Sequence, residues 1–186
     1  VAHVKRCQRC VEADKHGGLR QALTPMPTPS SPFDVVGIDV MGPLPLTRRG
    51  NRYVLVITDF LTRWAEALPI PSTGSELIMR EFLVTVVCRF GPPRVLVSDR
   101  GSNFLSALVQ RLMAVLRVHQ SVSTAYHPQT NSVTERVNKV LGKMLRAYVD
   151  KAQRNWDLTL PVVMYAYRTA VHEGTGYSPY FLMFGR

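Results

Sequence analysis

The spacing of apolar and polar positions divides this chain into a strand-rich first part and a mixed remainder. Residues 33–40 are almost continuously apolar and predict a first strand. The next eleven residues, 41–51, carry two glycines, two prolines and the run Arg48-Arg49-Gly50-Asn51, and read as a hairpin connection. Residues 52–60 and 64–70 predict a second and a third strand. Leu77, Ile78, Phe82, Leu83 and Val86 then fall at helical spacing over 74–90, and Gly91-Pro92-Pro93 stops that helix. A fourth strand is expected at 94–98 and a second helix at 104–116, with Leu105, Leu108, Leu112 and Val115 facing inward. A short fifth strand at 119–124 precedes a long amphipathic helix over 131–151 and a last helix over 158–172. The order βββαβαβαα mixes hairpins with crossovers, so the expected fold is α/β: a mixed sheet with helices packed on it. Strands one, two and four are apolar on both faces, as strands covered from both sides are.

Composition narrows the class. The 186 residues, 46% hydrophobic, suffice for one domain with a core. No apolar run approaches bilayer-spanning length, so no membrane partner is expected. The net charge of +10 points to a polyanionic partner, nucleic acid first; on charge alone a generic basic protein with solvated lysines is an equal reading. Three cysteines, Cys7, Cys10 and Cys88, with no secretory signal, favour a reducing compartment over a disulfide framework. Cys88 is expected as a small core residue. The chain begins with Val1, which suggests a piece of a longer polypeptide. Residues 1–22 form a basic head, residues 23–32 a proline-rich linker whose prolines bar helix, and residues 33–186 the main domain.

Three acidic residues are hard to explain by folding alone. Asp39 sits at the end of the run Val35-Val36-Gly37-Ile38-Asp39, and Asp99 at the end of Val95-Leu96-Val97-Ser98-Asp99. A carboxylate in a buried strand is costly unless it is paired or lies at a strand end. Glu135 opens the long amphipathic helix, in which Val137, Val140, Leu141, Met144 and Tyr148 are expected to share the core stripe. It heads a face that is otherwise basic, with Arg136, Lys139, Lys143 and Arg146. Taken alone, Glu135 reads as half of a surface pair with Lys139. Taken together, two strand-end aspartates and a helical glutamate suit a phosphoryl-transfer site built on two divalent ions, Mg²⁺ or Mn²⁺, which take hard oxygen ligands.

The sequence resembles the catalytic core of retroviral-type integrases, and among them those of gypsy-type long-terminal-repeat retrotransposons. Asp39, Asp99 and Glu135 match the family's D,D-35-E signature, with 35 residues between the second and third acids. Gly37-Ile38-Asp39-Val40-Met41-Gly42-Pro43, Thr58-Asp59-Phe60, Ser98-Asp99-Arg100-Gly101-Ser102-Asn103-Phe104, Thr124-Ala125-Tyr126-His127-Pro128-Gln129-Thr130-Asn131 and Thr134-Glu135-Arg136-Val137-Asn138 extend the match in order. The resemblance implies a ribonuclease H-like fold with a five-stranded mixed sheet flanked by helices. It implies Asp39, Asp99 and Glu135 as metal ligands for two ions, and a reaction in two steps: 3′-end processing of element DNA, then strand transfer into target DNA. Double-stranded DNA is the implied partner, homodimers or higher multimers the implied assembly, and the nucleus the implied location. Tyr126, His127 and Gln129 are implied at the DNA end. Asn138, Lys139, Lys143 and Arg146 are the remaining candidate DNA contacts, Lys139 foremost for a phosphate. One departure stands out: where the family commonly carries a glycine after Asp or Asn, this chain has Asn131-Ser132. Cys7-x2-Cys10 has zinc-ligand spacing. By resemblance the pair closes a preceding HHCC zinc domain, whose Zn²⁺ would need upstream residues.

Two rival readings carry different expectations. A domesticated or inactive relative would bind DNA without joining it. A hybrid-cleaving ribonuclease of the same fold would cut without joining. Asp59 is expected to stabilise a turn, and Trp64, Trp156, Tyr165 and Tyr167 to pack in the core or at a subunit interface rather than stack on bases.

Overall fold

The computed structural model describes residues 28–122, 132–149 and 154–186. Cys7, Cys10, Tyr126, His127 and Gln129 lie outside the described residues, as do the head and the first part of the linker. Five strands, β1 (Val35–Met41), β2 (Tyr53–Asp59), β3 (Ala65–Ile70), β4 (Val95–Ser98) and β5 (His119–Val122), form one sheet in the order β3-β2-β1-β4-β5. β1–β2 and β2–β3 are antiparallel; β1–β4 and β4–β5 are parallel. Hairpins join the first three strands and helical crossovers bring in the last two, as the element order predicts.

The helices are α1 (Ser75–Phe82), continued by a π-turn (Leu83–Val87) into α2 (Cys88–Phe90), then α3 (Ala107–Leu116), α4 (Ser132–Tyr148), α5 (Trp156–Thr169) and α6 (Pro179–Phe184). Side chains alternate across a strand, and the central strands use both faces. Val36 and Ile38 of β1, Leu55 and Ile57 of β2 and Leu96 of β4 pack with Ile78, Phe82, Val109 and Met113 of α1 and α3. Val54 and Val56 of β2 pack with Val137, Leu141 and Leu145 of α4 and Trp156, Leu160 and Val163 of α5. The sheet is thus the middle layer of three. By the same alternation, Gly37, Asp39 and Met41 of β1 share the face that meets α4, where Met41 joins the α4–α5 cluster. This parity aims Asp39 at the long helix.

Several helical faces differ from those expected. Ser106 caps α3, its Oγ accepting from the Val109 N–H at 3.4 Å. Leu105 therefore precedes the helix. The buried stripe is Val109 and Met113 flanked by Leu112 and Leu116, one residue on from the expected set, and Leu105, Leu108 and Val115 are exposed. Cys88 is exposed, not in the core. The π-turn before it inserts one residue, which rotates Cys88 and its neighbours by about 100° away from the α1 stripe. On α4 the buried residues are Thr134, Val137, Leu141 and Leu145, so Val140 and Tyr148 lie outside the stripe. Helix α6 was not expected at all. Its signals are local: Ser178 caps it through the Phe181 N–H, Pro179 occupies its first turn, and Gly185 ends it in the left-handed conformation.

Asp59 does stabilise a turn. It is fully buried, and its carboxylate accepts from the Thr62 hydroxyl (2.6 Å) and from the N–H groups of Thr62 (2.9 Å) and Phe33 (3.0 Å). Trp64, Trp156 and Tyr167 are buried as expected, whereas Tyr165 is exposed. Glu66 on β3 accepts from Trp64 Nε1, Arg89 and Arg168, which fastens the end of α5 to the sheet edge.

Candidate active site

Asp39 is the third residue from the end of β1 and Asp99 immediately follows β4, the parallel neighbour of β1. Both side chains line one pocket of about 200 Å³, shared with Tyr53, Thr73, Asn103 and Phe104. The two strands leave the sheet centre side by side at their C-terminal ends, where a polar group escapes the core and a ligand can enter. The loop after Asp99 is tight: the Gly101 N–H donates to Asp99 Oδ1 at 2.9 Å. A Cβ at Gly101 would stand 2.4 Å from Asn103 Oδ1 and 3.0 Å from Asp99 Oδ1. A side chain at position 101 would therefore have to displace the Asn103 amide from beside the carboxylate.

Helix α4 lies over the same strand ends. Asn138 Nδ2 donates to Asp39 Oδ2 at 2.8 Å, and the Val40 N–H to Asp39 Oδ1 at 2.8 Å. Glu135, one turn before Asn138, is exposed in the first turn of α4. Burial pushes the Asp39 carboxyl up to about 6, and the negative charges of Asp99 and Glu135 add to the rise against the two hydrogen bonds that oppose it. The charges of Asp99 and Glu135 thus both reach Asp39. Glu135 does not line the Asp39–Asp99 pocket, and among the described residues no group of three or more His, Cys, Asp or Glu side chains stands close enough together to hold a metal ion.

The donor set nevertheless fits a hard dication. It is all oxygen, a cation would relieve the charge crowding that raises Asp39, and Asn138 Oδ1 is buried without a hydrogen-bond partner among the described residues. Asp39 and Asp99 would supply the first ligands, with Glu135 drawn in from α4.

Asn138, Lys139, Lys143 and Arg146 line a second, larger cavity of about 630 Å³. Its other wall is Met41 at the end of β1 with Leu44 and Pro45 of the β1–β2 connection, and Trp156 also lines it. That wall is fastened: Trp156 Nε1 donates to the Pro45 carbonyl at 2.7 Å, and buried Asp157 accepts from Thr47 Oγ1 at 3.0 Å and Asn51 Nδ2 at 2.9 Å. The candidate DNA contacts on α4 therefore share one cavity, and Asn138, which lines it, also bonds to Asp39 in the neighbouring pocket. Sequence reasoning missed the bond from Asn138 to Asp39, which no local pattern announces across 99 positions. It also missed Asn103, although the run Asp99-Arg100-Gly101-Ser102-Asn103 carries the turn residues that bring it back to the pocket.

A three-layer α/β sheet in the order 3-2-1-4-5, with acids at the ends of β1 and β4, defines a ribonuclease H-like protein. A family profile described as "Integrase core domain" matches residues 29–128, and the chain belongs to that family. It is 29% identical over 184 residues to the retrovirus-related Pol polyprotein from transposon 412 of Drosophila melanogaster, covering 99% of this chain and 15% of that protein. The HTLV-2 integrase catalytic core domain in complex with magnesium, in its trimeric form, superposes with a TM-score of 0.66 at 16% identity, over 83% of this chain and 99% of that one. A chain of the simian T-cell lymphotropic virus intasome in complex with PP2A regulatory subunit B56 gamma gives 0.71 at 18% identity, over 82% of this chain and 55% of that one. These structural likenesses establish the fold.

Proposed function

We propose that this chain is the catalytic core of a retrotransposon integrase, a polynucleotidyl transferase that processes the 3′ ends of element DNA and joins them to target DNA. The observation that carries this reading is the convergence of Asp39 and Asp99 on one pocket, with Asn138 and Glu135 of α4 beside it, in a member of the integrase core family. Asp39, Asp99 and Glu135 would hold Mg²⁺ or Mn²⁺, as two ions that, when bound, activate the attacking oxygen and stabilise the leaving one. Asn138 orients the Asp39 carboxylate through its amide N–H. Lys139, Lys143 and Arg146 carry the phosphodiester backbone along the cavity they line, supplying affinity and register rather than sequence choice. No side-chain nucleophile is needed: water attacks in the first step and the DNA 3′-hydroxyl in the second. Tyr126, His127 and Gln129 complete the reading at the DNA end, and Cys7 and Cys10 as the last two ligands of a preceding zinc domain.

The assembly belongs to the same proposal. Leu158, Val162 and Tyr165 follow one another at helical spacing on α5 and are all more than half exposed. An apolar stripe of this kind suits a second copy of the chain, and the HTLV-2 core was solved in dimeric as well as trimeric form. The proposed site of action is the nucleus.

The rival reading is a domesticated or inactive integrase-derived protein that binds DNA without joining it. A disintegration assay on a branched DNA substrate in Mn²⁺ separates the two. The catalytic reading predicts rejoined strands from the wild type and none from Glu135→Gln. Folded wild-type protein that binds the substrate and yields no product would favour the binding protein, and cleavage without joining a nuclease.

A further inference from the structure

Glycine is a poor choice for the interior of a central strand, where it weakens the ladder and packs nothing. Gly37 lies in the middle of β1, two residues before Asp39 and on the same face. Its backbone is not left-handed, so conformation does not call for it. Space does. A Cβ built on Gly37 would stand 2.1 Å from Thr134 Oγ1 and 2.6 Å from Phe60 Cε1. Thr134 is the residue before Glu135, fully buried against the strand. Thr58, which faces Gly37 across the β1–β2 ladder, is also fully buried, and both threonine hydroxyls lack partners among the described residues. The first turn of α4 therefore rests directly on the bare backbone of β1. One turn further along, Asn138 reaches Asp39 at 2.8 Å.

We infer that Gly37 is a positioning residue: its missing side chain sets the height of α4 above β1, and through that height the distance of Asn138 and Glu135 from Asp39. The inference rests on the reading of Asp39 and Glu135 as partners in one site, but its geometric part stands apart from any activity. Neither contact can be relieved without movement. The nearest atom is a hydroxyl on a buried first turn, and the next is the edge of a buried aromatic ring, 8% exposed. Lifting the start of α4 relieves the Thr134 contact and carries Glu135 and Asn138 away from Asp39 together, while the Phe60 contact is relieved by a shift of that ring, which lies off α4.

The test is a cycle of Gly37→Ala, Thr134→Ala and the double variant, each examined for fold by circular dichroism, for the Asn138 side-chain amide by NMR, and for Mn²⁺-dependent disintegration. Apart from the hydroxyl, no atom of Thr134 comes nearer than 3.3 Å to the added Cβ, so the double variant leaves only the Phe60 ring edge to give. Gly37→Ala should fold, shift the Asn138 amide toward its solvent-exposed position and lose ~100-fold in rate, the order expected for a displacement of about 1 Å. Thr134→Ala should resemble the wild type in all three. The double variant should regain the Asn138 signal and most of the rate. An unchanged amide in Gly37→Ala, or a folded double variant that regains neither signal, would overturn the inference. If Gly37→Ala does not fold, the double variant decides alone: a wild-type Asn138 signal supports the inference, and a displaced one overturns it. A wild type without disintegration activity would sink the catalytic reading, while the amide measurement would still judge Gly37.

Discussion

A carboxylate that is half-buried beside two others is retained against stability. Asp39 is pushed up to about 6 by burial first, with Asp99 and Glu135 adding to it. At neutral pH the metal-free protein therefore keeps an ionised group where its neutral isostere would cost less. Asp39→Asn should raise the stability of metal-free protein at pH 7 by about 1–2 kcal/mol, read by chemical denaturation, and abolish activity. Asp34 shows the opposite sign. Arg94 grips it through two hydrogen bonds of 3.0 Å, the Ser30 N–H adds a third, and together they hold its carboxyl down to about 2 from an ordinary 3.8. A depressed carboxylate stabilises the fold above its unfolded value and loses that contribution as pH falls toward its folded value. The melting-temperature gap between wild type and Arg94→Ala should thus be full at pH 5–7 and close between about pH 4 and 2. At this scale the sequence was informative about which acids to suspect, because charged residues at the ends of apolar runs stand out. It placed Asn138 among the DNA contacts rather than on Asp39, and it gave Gly37 no role, because both act through contacts between β1 and α4.

The elements were legible where periodicity was strong and shifted where a local event reset it. All five strands fall where alternation and turn residues put them. The stripe of α3 moved by one residue because the helix begins at its serine cap, and the exposure of Cys88 follows from the π-turn, which no apolar pattern announces. The contrast is measurable: Val109→Ala should destabilise by about 1–3 kcal/mol, while Val115→Ala should stay within about 0.5 kcal/mol. The fastening of the β1–β2 connection to α5 was likewise invisible in the sequence, since Thr47 and Asp157 are 110 positions apart. Asp157→Ala leaves the buried Thr47 hydroxyl without its acceptor and should cost about 1–3 kcal/mol in thermal or chemical unfolding. It should also weaken DNA binding, because the wall opposite Lys139 and Lys143 is released.

For the whole molecule, fold class and family were both readable: the order of strands and helices fixed a mixed α/β sheet, and ordered motifs rather than composition carried the family. The exposed stripe on α5 was not, because Leu158, Val162 and Tyr165 look in sequence like any buried helical face. On the proposed pairing through this stripe, Val162→Asp should shift the chain toward monomer in sedimentation equilibrium while leaving the circular dichroism spectrum unchanged. The central claim, that Asp39, Asp99 and Glu135 act as one metal site although Glu135 stands apart from the Asp39–Asp99 pocket, is tested most directly by titrating Mn²⁺ into the protein and following the free ion by electron paramagnetic resonance. The account predicts saturable binding to the wild type and a loss of about tenfold or more in affinity in each of Asp39→Asn, Asp99→Asn and Glu135→Gln. Wild-type affinity in Glu135→Gln, or no saturable binding to folded wild type, would contradict it.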